Sequence, residues 1–156
     1  MNTPSVFSIR PAQAADASVL SALACSLAHF YLTGTSPDLP TWLAESLSTE
    51  AFSQRLHNSD FQHWLGLYDN LTVGFIALYQ GSHLYHLFVA EHWHGHGLAK
   101  QLWHTAQSHC PAASYTVRSS VFAVPVYQAL GFQNSQPLQQ KDGVCFQPMT
   151  WTAQAI

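Results

Sequence analysis

A mixed α+β sheet is the fold class that this sequence predicts, on three observations. Two β-like runs, F-Q-H-W-L-G-L-Y and L-T-V-G-F-I-A-L-Y, are joined by Asp69-Asn70, and because both residues tolerate positive φ the runs close as an antiparallel hairpin. A third run, H-L-Y-H-L-F-V, follows a turn at Gly81-Ser82. It leads through E-H-W-H-G-H-G into a helical pattern and then another strand, and such a crossover is what a parallel pair requires.

The elements follow in chain order. V-F-S-I-R, residues 6 to 10, alternates like a strand and is stopped by Pro11. Leu20, Leu23, Ala24, Leu27, Phe30 and Tyr31 recur at helical spacing, with Asp16 placed to favour the amino end through the helix dipole. T-G-T-S-P-D-L-P breaks that helix, and W-L-A-E-S-L with A-F-S-Q-R-L-H gives one or two further helical pieces before Asn58. After the three β-runs, Leu98, Leu102 and Ala106 mark a helix limited by Pro111. S-Y-T-V-R is a short strand. V-P-V-Y-Q-A-L-G-F is a short helix with proline near its start and Gly131 at its stop. A turn at Lys141-Asp142-Gly143 makes the tail a final hairpin.

Bulk composition narrows the function. The 156 residues suit one domain, read here as spanning 1–156. Charged residues reach 8%, against about 25% in ordinary domains, and the formal charge is −3. With five Lys plus Arg there is no basic stripe to neutralise a phosphate backbone, so nucleic acid is excluded as the expected partner. The apolar stretch from Ala17 to Leu32 is too short to span a bilayer, carries His29 and lacks a basic leader, so no membrane association is expected. Cys25, Cys110 and Cys145 are odd in number and widely spaced, which fits a reducing cytoplasm and packing roles rather than a disulfide framework or a nucleophile.

The segment most informative about chemistry is the glycine loop. A strand that passes through G-x-G into a helix leaves unpaired N–H groups at a positive dipole end, where a phosphate or pyrophosphate can sit. Glycine there keeps a Cβ from holding the anion away from the backbone. The P-loop pattern G-x-x-x-x-G-K-[ST] is absent, and a dinucleotide fingerprint would need glycine where Lys100 stands. An ordinary tight turn remains the competing reading of this segment alone.

L-F-V-A-E-H-W-H-G-H-G-L-A-K-Q-L resembles the cofactor motif [QR]-x-x-G-x-[GA] of the GNAT superfamily of N-acetyltransferases, with His92 in the place of the glutamine or arginine. T-V-R-S-S-V-F-A-V-P-V-Y-Q-A-L-G-F is similar to the family's strand and short helix ending in Y-x-x-x-G-F, with Arg118 where relatives often carry asparagine. I-R-P-A-Q-A-A-D-A matches the way such domains open. The resemblance covers essentially the whole chain. It implies a GNAT-like fold: a mostly antiparallel mixed sheet of about six or seven strands, a parallel pair splayed around acetyl-CoA, and about four helices.

The resemblance also implies a site and a direct transfer to a primary amine of a small molecule or peptide. The main chain near Leu87 and Val89 would bind the pantetheine arm and the thioester carbonyl, where a fixed donor stabilises developing charge. The amides of His94, Gly95, His96, Gly97, Leu98 and Ala99 would hold the pyrophosphate, with Lys100 adding charge and Arg118 as a further cofactor contact. Tyr127 matches the tyrosine that protonates the departing thiolate, a task suited to an ordinary pKa of about 10. His83 falls close to the strand position that supplies the base in several relatives, with His86 and Glu91 as rivals. A homodimer is possible in such folds.

Seven of the ten histidines lie between His83 and His109. His92, His94 and His96 have spacing that puts three rings on one face of an extended chain, but a strand-to-helix turn does not keep that geometry and no Cys accompanies them, so no metal is expected. Their alternative use is to replace fixed basic residues around the pyrophosphate, which would tighten CoA binding as pH falls through about 6.5. Two other functional readings stay open: a CoA-binding module without catalysis, and a histidine-rich metal-binding protein. Phe30, Tyr31, Trp42, Phe146 and Trp151 are candidates for walls of an acceptor pocket, and the scarcity of acidic residues near the centre argues against polyamines.

Overall fold

The computed structural model describes residues 7–28, 40–141 and 144–153. Among the described residues eight strands form one sheet: β1 (Ser8–Pro11), β2 (Phe61–Tyr68), β3 (Leu71–Tyr79), β4 (His83–Val89), β5 (Ser114–Ser120), β6 (Gln133–Asn134), β7 (Gln139–Lys141) and β8 (Val144–Thr152). Five α-helices accompany them among the described residues: α1 (Ala17–Leu27), α2 (Thr41–Ser46), α3 (Thr49–Leu56), α4 (Leu98–His109) and α5 (Val124–Leu130). The strand count exceeds the expected six or seven because β6 and β7 are two and three residues long. Segments that short carry no alternation to read.

Strand order is β1-β2-β3-β4-β5-β8-β6, with β7 also on β8, and every pairing is antiparallel except β4 with β5. The hairpin between β2 and β3 turns on Asp69 and Asn70 at φ 51° and 66°, as their side chains predict. The next turn differs from expectation: its left-handed residues are Gln80 (φ 52°) and Gly81 (φ 76°), one position earlier than Gly81-Ser82. Asp16 stands at the amino end of α1, as expected, and does more there. Its carboxylate accepts from Arg10 at 2.9 and 3.1 Å and from the Gln13 amide at 2.7 Å, so it closes the turn before α1 and caps no amide of α1 itself. The Arg10 hydrogen bond holds the Asp16 carboxyl below its ordinary range.

Each face of the sheet carries its own core. Ala17, Leu20, Ala24 and Leu27 of α1, with Leu43, Leu47 and Phe52, cover Leu65, Phe75 and Phe88. The opposite face packs Leu98, Leu102, Trp103 and Ala106 of α4 against Trp64, Ile76, Leu84 and Val117. Trp103 is 1% exposed and meets Tyr115, Phe132 and Trp151 with ring centroids 4.8, 5.2 and 6.0 Å away. Burying a side chain of this size contributes about 3 kcal/mol, enough to fix the helix whose amino end matters below.

A pair of glycines sets the depth of that helix. Gly66 and Gly74 are register partners on β2 and β3, and Leu98, the first residue of α4, sits over both. A Cβ added at Gly66 would lie 2.8 Å from Leu98 Cδ1, and one at Gly74 would lie 2.9 Å from both Leu98 Cδ2 and the Phe88 carbonyl. The absent methyl groups let the start of α4 approach the sheet.

Candidate active site

The parallel pair opens where its pairing ends. β4 and β5 are in register only at His83 with Thr116 and Leu84 with Val117. The next residue, Tyr85, has no partner on β3 either, because the register passes from Leu78–Leu84 to Ala77–His86. A bulge of this kind bends a strand and re-aims its side chains. Beyond it β4 continues beside β3 to Val89, while its other edge no longer meets β5.

That parting leaves a cleft of about 440 Å³, lined by Leu87 and Val89 of β4, by His94, Gly95, Gly97, Leu98, Ala99 and Lys100, and by Val126 and Tyr127 of α5. Gly95 and Gly97 have φ of 80° and 83°, and an added Cβ at either would meet no protein atom within 4 Å. Conformation therefore dictates glycine here, together with the open space above the loop. Gly97 is the residue that precedes α4, and no side chain caps the helix. The first hydrogen bond of α4 runs from the Gln101 amide to the Gly97 carbonyl at 3.1 Å, so the amides of Leu98, Ala99 and Lys100 have no carbonyl one turn back. An uncapped helix start of 12 residues, glycines on positive φ and a free strand edge together fit an extended molecule with a phosphate at one end.

A second cavity of about 220 Å³ adjoins the cleft, lined by Trp42, Ser46, Tyr85, His86, Arg118, Lys141, Cys145 and Phe146 among others. Leu87, Ser120, Ala123 and Tyr127 belong to both linings. Tyr127 is 6% exposed, its ring stands edge-on to Phe132 at 5.6 Å, and burial pushes its hydroxyl pKa well above 10. It stays protonated across the physiological range.

The expected site residues fall unevenly around these cavities. Leu87, Val89, Gly95, Gly97, Leu98, Ala99, Lys100 and Tyr127 all line the cleft. His94 does too, but its ring Nε2 donates to the Val89 carbonyl at 2.7 Å and its amide to the Glu91 carbonyl at 3.3 Å. The imidazole thus ties the end of β4 to the loop. His92 and His96 are exposed and belong to neither lining, and His96 rests against Trp93 with centroids 5.3 Å apart. Among the described residues no group of three or more His, Cys, Asp or Glu is arranged to hold a metal ion.

Arg118 lines the second cavity and not the cleft. The alternation of β5 explains its place: Tyr115, Val117 and Ser119 are buried in the core, which turns Arg118 to the opposite face. His83 lines neither cavity; its Nδ1 shares a 2.7 Å hydrogen bond with Thr116 Oγ1, and burial, then Arg118, lower its pKa. Glu91 is exposed and also outside both linings. Of the three candidate bases only His86 faces a cavity. Its burial, then Arg55 and His63, depress its pKa well below 6.5, so the ring is neutral. Trp42 and Phe146 line the second cavity, whereas Trp151 packs on Tyr115 and Trp103. Phe30, Tyr31 and the Asp142-Gly143 turn lie outside the described residues.

Sequence reasoning passed over Ser120 and Ala123, which both cavities share, and Lys141, which it used only as a turn residue. Nothing in a serine, an alanine or a lone lysine signals such a position; strand pairing with β8 brings Ser120 and Lys141 there, and Ala123 follows as the residue before α5.

Comparison with known proteins places these observations in a family. The acetyltransferase (GNAT) domain matches residues 29–153. No curated protein matches the sequence. Among solved structures, a GCN5-related N-acetyltransferase from Rhodopseudomonas palustris is similar at 21% identity and a TM-score of 0.77, over 98% of this chain and 99% of its own. The PaiA N-acetyltransferase from Thermoplasma acidophilum, in complex with coenzyme A, is similar at 18% identity and 0.78, over 95% and 99%. An acetyltransferase of the GNAT family from Staphylococcus aureus Mu50 is similar at 16% identity and 0.72, over 94% and 99%. Likeness at these identities establishes the shared fold.

Proposed function

Because the chain belongs to the acetyltransferase (GNAT) domain family, we propose that it is an acetyl-CoA-dependent N-acetyltransferase, a single domain that passes an acetyl group directly to the primary amine of a small molecule or peptide. The observation that carries this reading is the meeting of two cavities at Tyr127, one with a phosphate-type helix start and one without. Bound acetyl-CoA would supply an acetyl group activated as a thioester.

The chain's own residues divide the remaining work. The amides of Gly95 to Lys100, at the positive end of α4, hold the diphosphate. The free edge of β4 at Leu87 to Val89 orients the pantetheine arm through main-chain hydrogen bonds. It also places a fixed donor at the oxygen where charge develops. Apolar walls from Leu98, Val126 and Leu130 exclude water. Tyr127, kept protonated by burial, donates its phenolic proton to the departing sulfur as the carbon–sulfur bond breaks.

The incoming amine must reach this point without its proton. His83 is turned to Thr116 and Glu91 is outside, so of the three candidates His86 alone stands on the acceptor wall, where its imidazole, held neutral by burial, orients the water that carries the proton away rather than keeping it. Release of free thiol from acetyl-CoA, followed against amino acids, amino sugars, aryl amines, peptides and polyamines, tests the activity. Turnover with a primary amine is the expected result. Saturable CoA binding with no thiol release from any amine would make the protein a binding module instead.

A further inference from the structure

The second cavity carries an inference about the acceptor, resting on the acetyltransferase reading above. The chain has only five Lys plus Arg. Arg10 is paired with Asp16 at 2.9 Å, and Lys100 lines the coenzyme cleft. The other three gather at the second cavity. Arg118 and Lys141 line it directly, and Arg55 stands behind its Tyr85 and Ser46 walls.

None of these three cations meets a carboxylate among the described residues; each is set on an aromatic ring instead. The Arg118 guanidinium lies 5.5 Å from the centroid of Phe146, the Lys141 ammonium 5.1 Å from Trp42, and the Arg55 guanidinium 5.2 Å from Tyr85. These three rings belong to the cavity wall, and Arg55 also lies 5.0 Å from Phe52 in the core behind it. Arg55 is 9% exposed, and its Nη2 donates to the Ser46 carbonyl and hydroxyl at 2.5 and 2.9 Å, while its Nη1 has no partner. A buried guanidinium half-satisfied in this way leaves an electrostatic demand for an anion nearby. No Asp or Glu among the described residues lines the cavity to meet it.

We propose that the acceptor is an amine bearing a carboxylate, an α-amino acid with an apolar or aromatic side chain. Its carboxylate pairs with Arg118 and Lys141, and the field of Arg55 reinforces that pairing. Its side chain lies along Trp42, Tyr85 and Phe146, and its amine reaches the junction at Tyr127. At about 220 Å³ the cavity suits a molecule of amino-acid size rather than a drug-sized one. The same charges repel a polyamine, whose recognition needs carboxylates.

Steady-state thiol release with acetyl-CoA is compared for L-amino acids, their carboxamides and spermidine, with rates expressed per unprotonated amine. The expected result is a kcat/KM at least tenfold higher for an amino acid than for its carboxamide, and a ratio that falls toward one in Arg118→Gln and in Lys141→Gln. An equal or faster carboxamide or spermidine reaction, or a ratio that survives both substitutions, overturns the proposal. If no acceptor turns over, calorimetric affinities of an N-acetyl amino acid and its amide for the CoA-loaded protein supply the same ratio, with the same tenfold threshold. Calorimetry with CoA alone separates the two levels: normal CoA binding with no preference for the acid sinks the acceptor class only, whereas absent CoA binding sinks the acetyltransferase reading beneath it.

Discussion

Replacing Gly97 by alanine, with Gly81→Ala as its control, isolates what the left-handed loop contributes to coenzyme binding. The two glycines share the same physical situation: φ is 83° and 76°, and an added Cβ meets no protein atom within 4 Å at either. The substitution therefore costs conformational strain without a clash, about 1–2 kcal/mol for an L-residue held in the left-handed region. Part of this is offset because alanine has less entropy to lose on folding, about 0.4–1 kcal/mol. Both variants should then lose on the order of 1 kcal/mol or less of stability in urea unfolding. Their coenzyme affinities should separate. In Gly97→Ala the loop can relax when empty and must be forced back when the amides of Leu98, Ala99 and Lys100 receive a diphosphate, so whatever strain relaxation relieved reappears in binding, raising Kd by up to roughly 5- to 30-fold. Gly81 sits in the turn before β4 and lines neither cavity, so its variant should bind CoA like the parent. Calorimetric titration with CoA measures both. Equal Kd values for Gly97→Ala and the parent, or equal shifts in the two variants, would refute the role given to the loop.

Three further outcomes follow from the same geometry. Tyr127→Phe should lower kcat by about 10²-fold or more while CoA still binds, read from thiol release and calorimetry, because the phenyl ring keeps the packing on Phe132 and loses only the proton. Gly74→Ala should destabilise by about 1–3 kcal/mol and weaken CoA binding together, since its Cβ would press on Leu98 Cδ2 and on the Phe88 carbonyl, which cannot move like a side chain. Acid should destabilise the protein through histidines buried in neutral form: burial and then Arg55 lower His63 to about 4, so the unfolded chain gains its proton first as pH falls. Stability is then flat above pH 6.5 and drops by about 2 kcal/mol between pH 8 and pH 5 from His63 alone, with His86 adding to the loss, as urea unfolding across that range would show.

The parts of the fold that could be read in the sequence are those governed by local chemistry. Asp69-Asn70 fixed a hairpin, Leu98, Leu102 and Ala106 fixed the buried stripe of α4, and Pro125 with Gly131 bounded α5. Gln80 shows the limit, because a glutamine in a left-handed turn is imposed by the strands it joins and not by its own preference. The insertion of β8 beside β5 depends on long-range pairing between Ser120 and Phe146 at one end and Ser114 and Thr152 at the other, which no short window contains. The cleft was legible for the same reason as the hairpin: its glycines and helix start are one contiguous segment. The second cavity was not, since Trp42, Tyr85, Arg118 and Lys141 come from four separate elements. The face on which Arg118 lies could have been inferred from the period of two along S-Y-T-V-R-S-S once Tyr115 and Val117 were assigned to the core.

A crystal structure of the protein with CoA bound is the most direct test of the proposed transfer. The diphosphate is expected on the amides of Gly95 to Lys100, the pantetheine along Leu87 to Val89, and the sulfur within hydrogen-bonding reach of the Tyr127 hydroxyl. A coenzyme seated elsewhere, or one whose sulfur points away from Tyr127, would contradict the proposed mechanism.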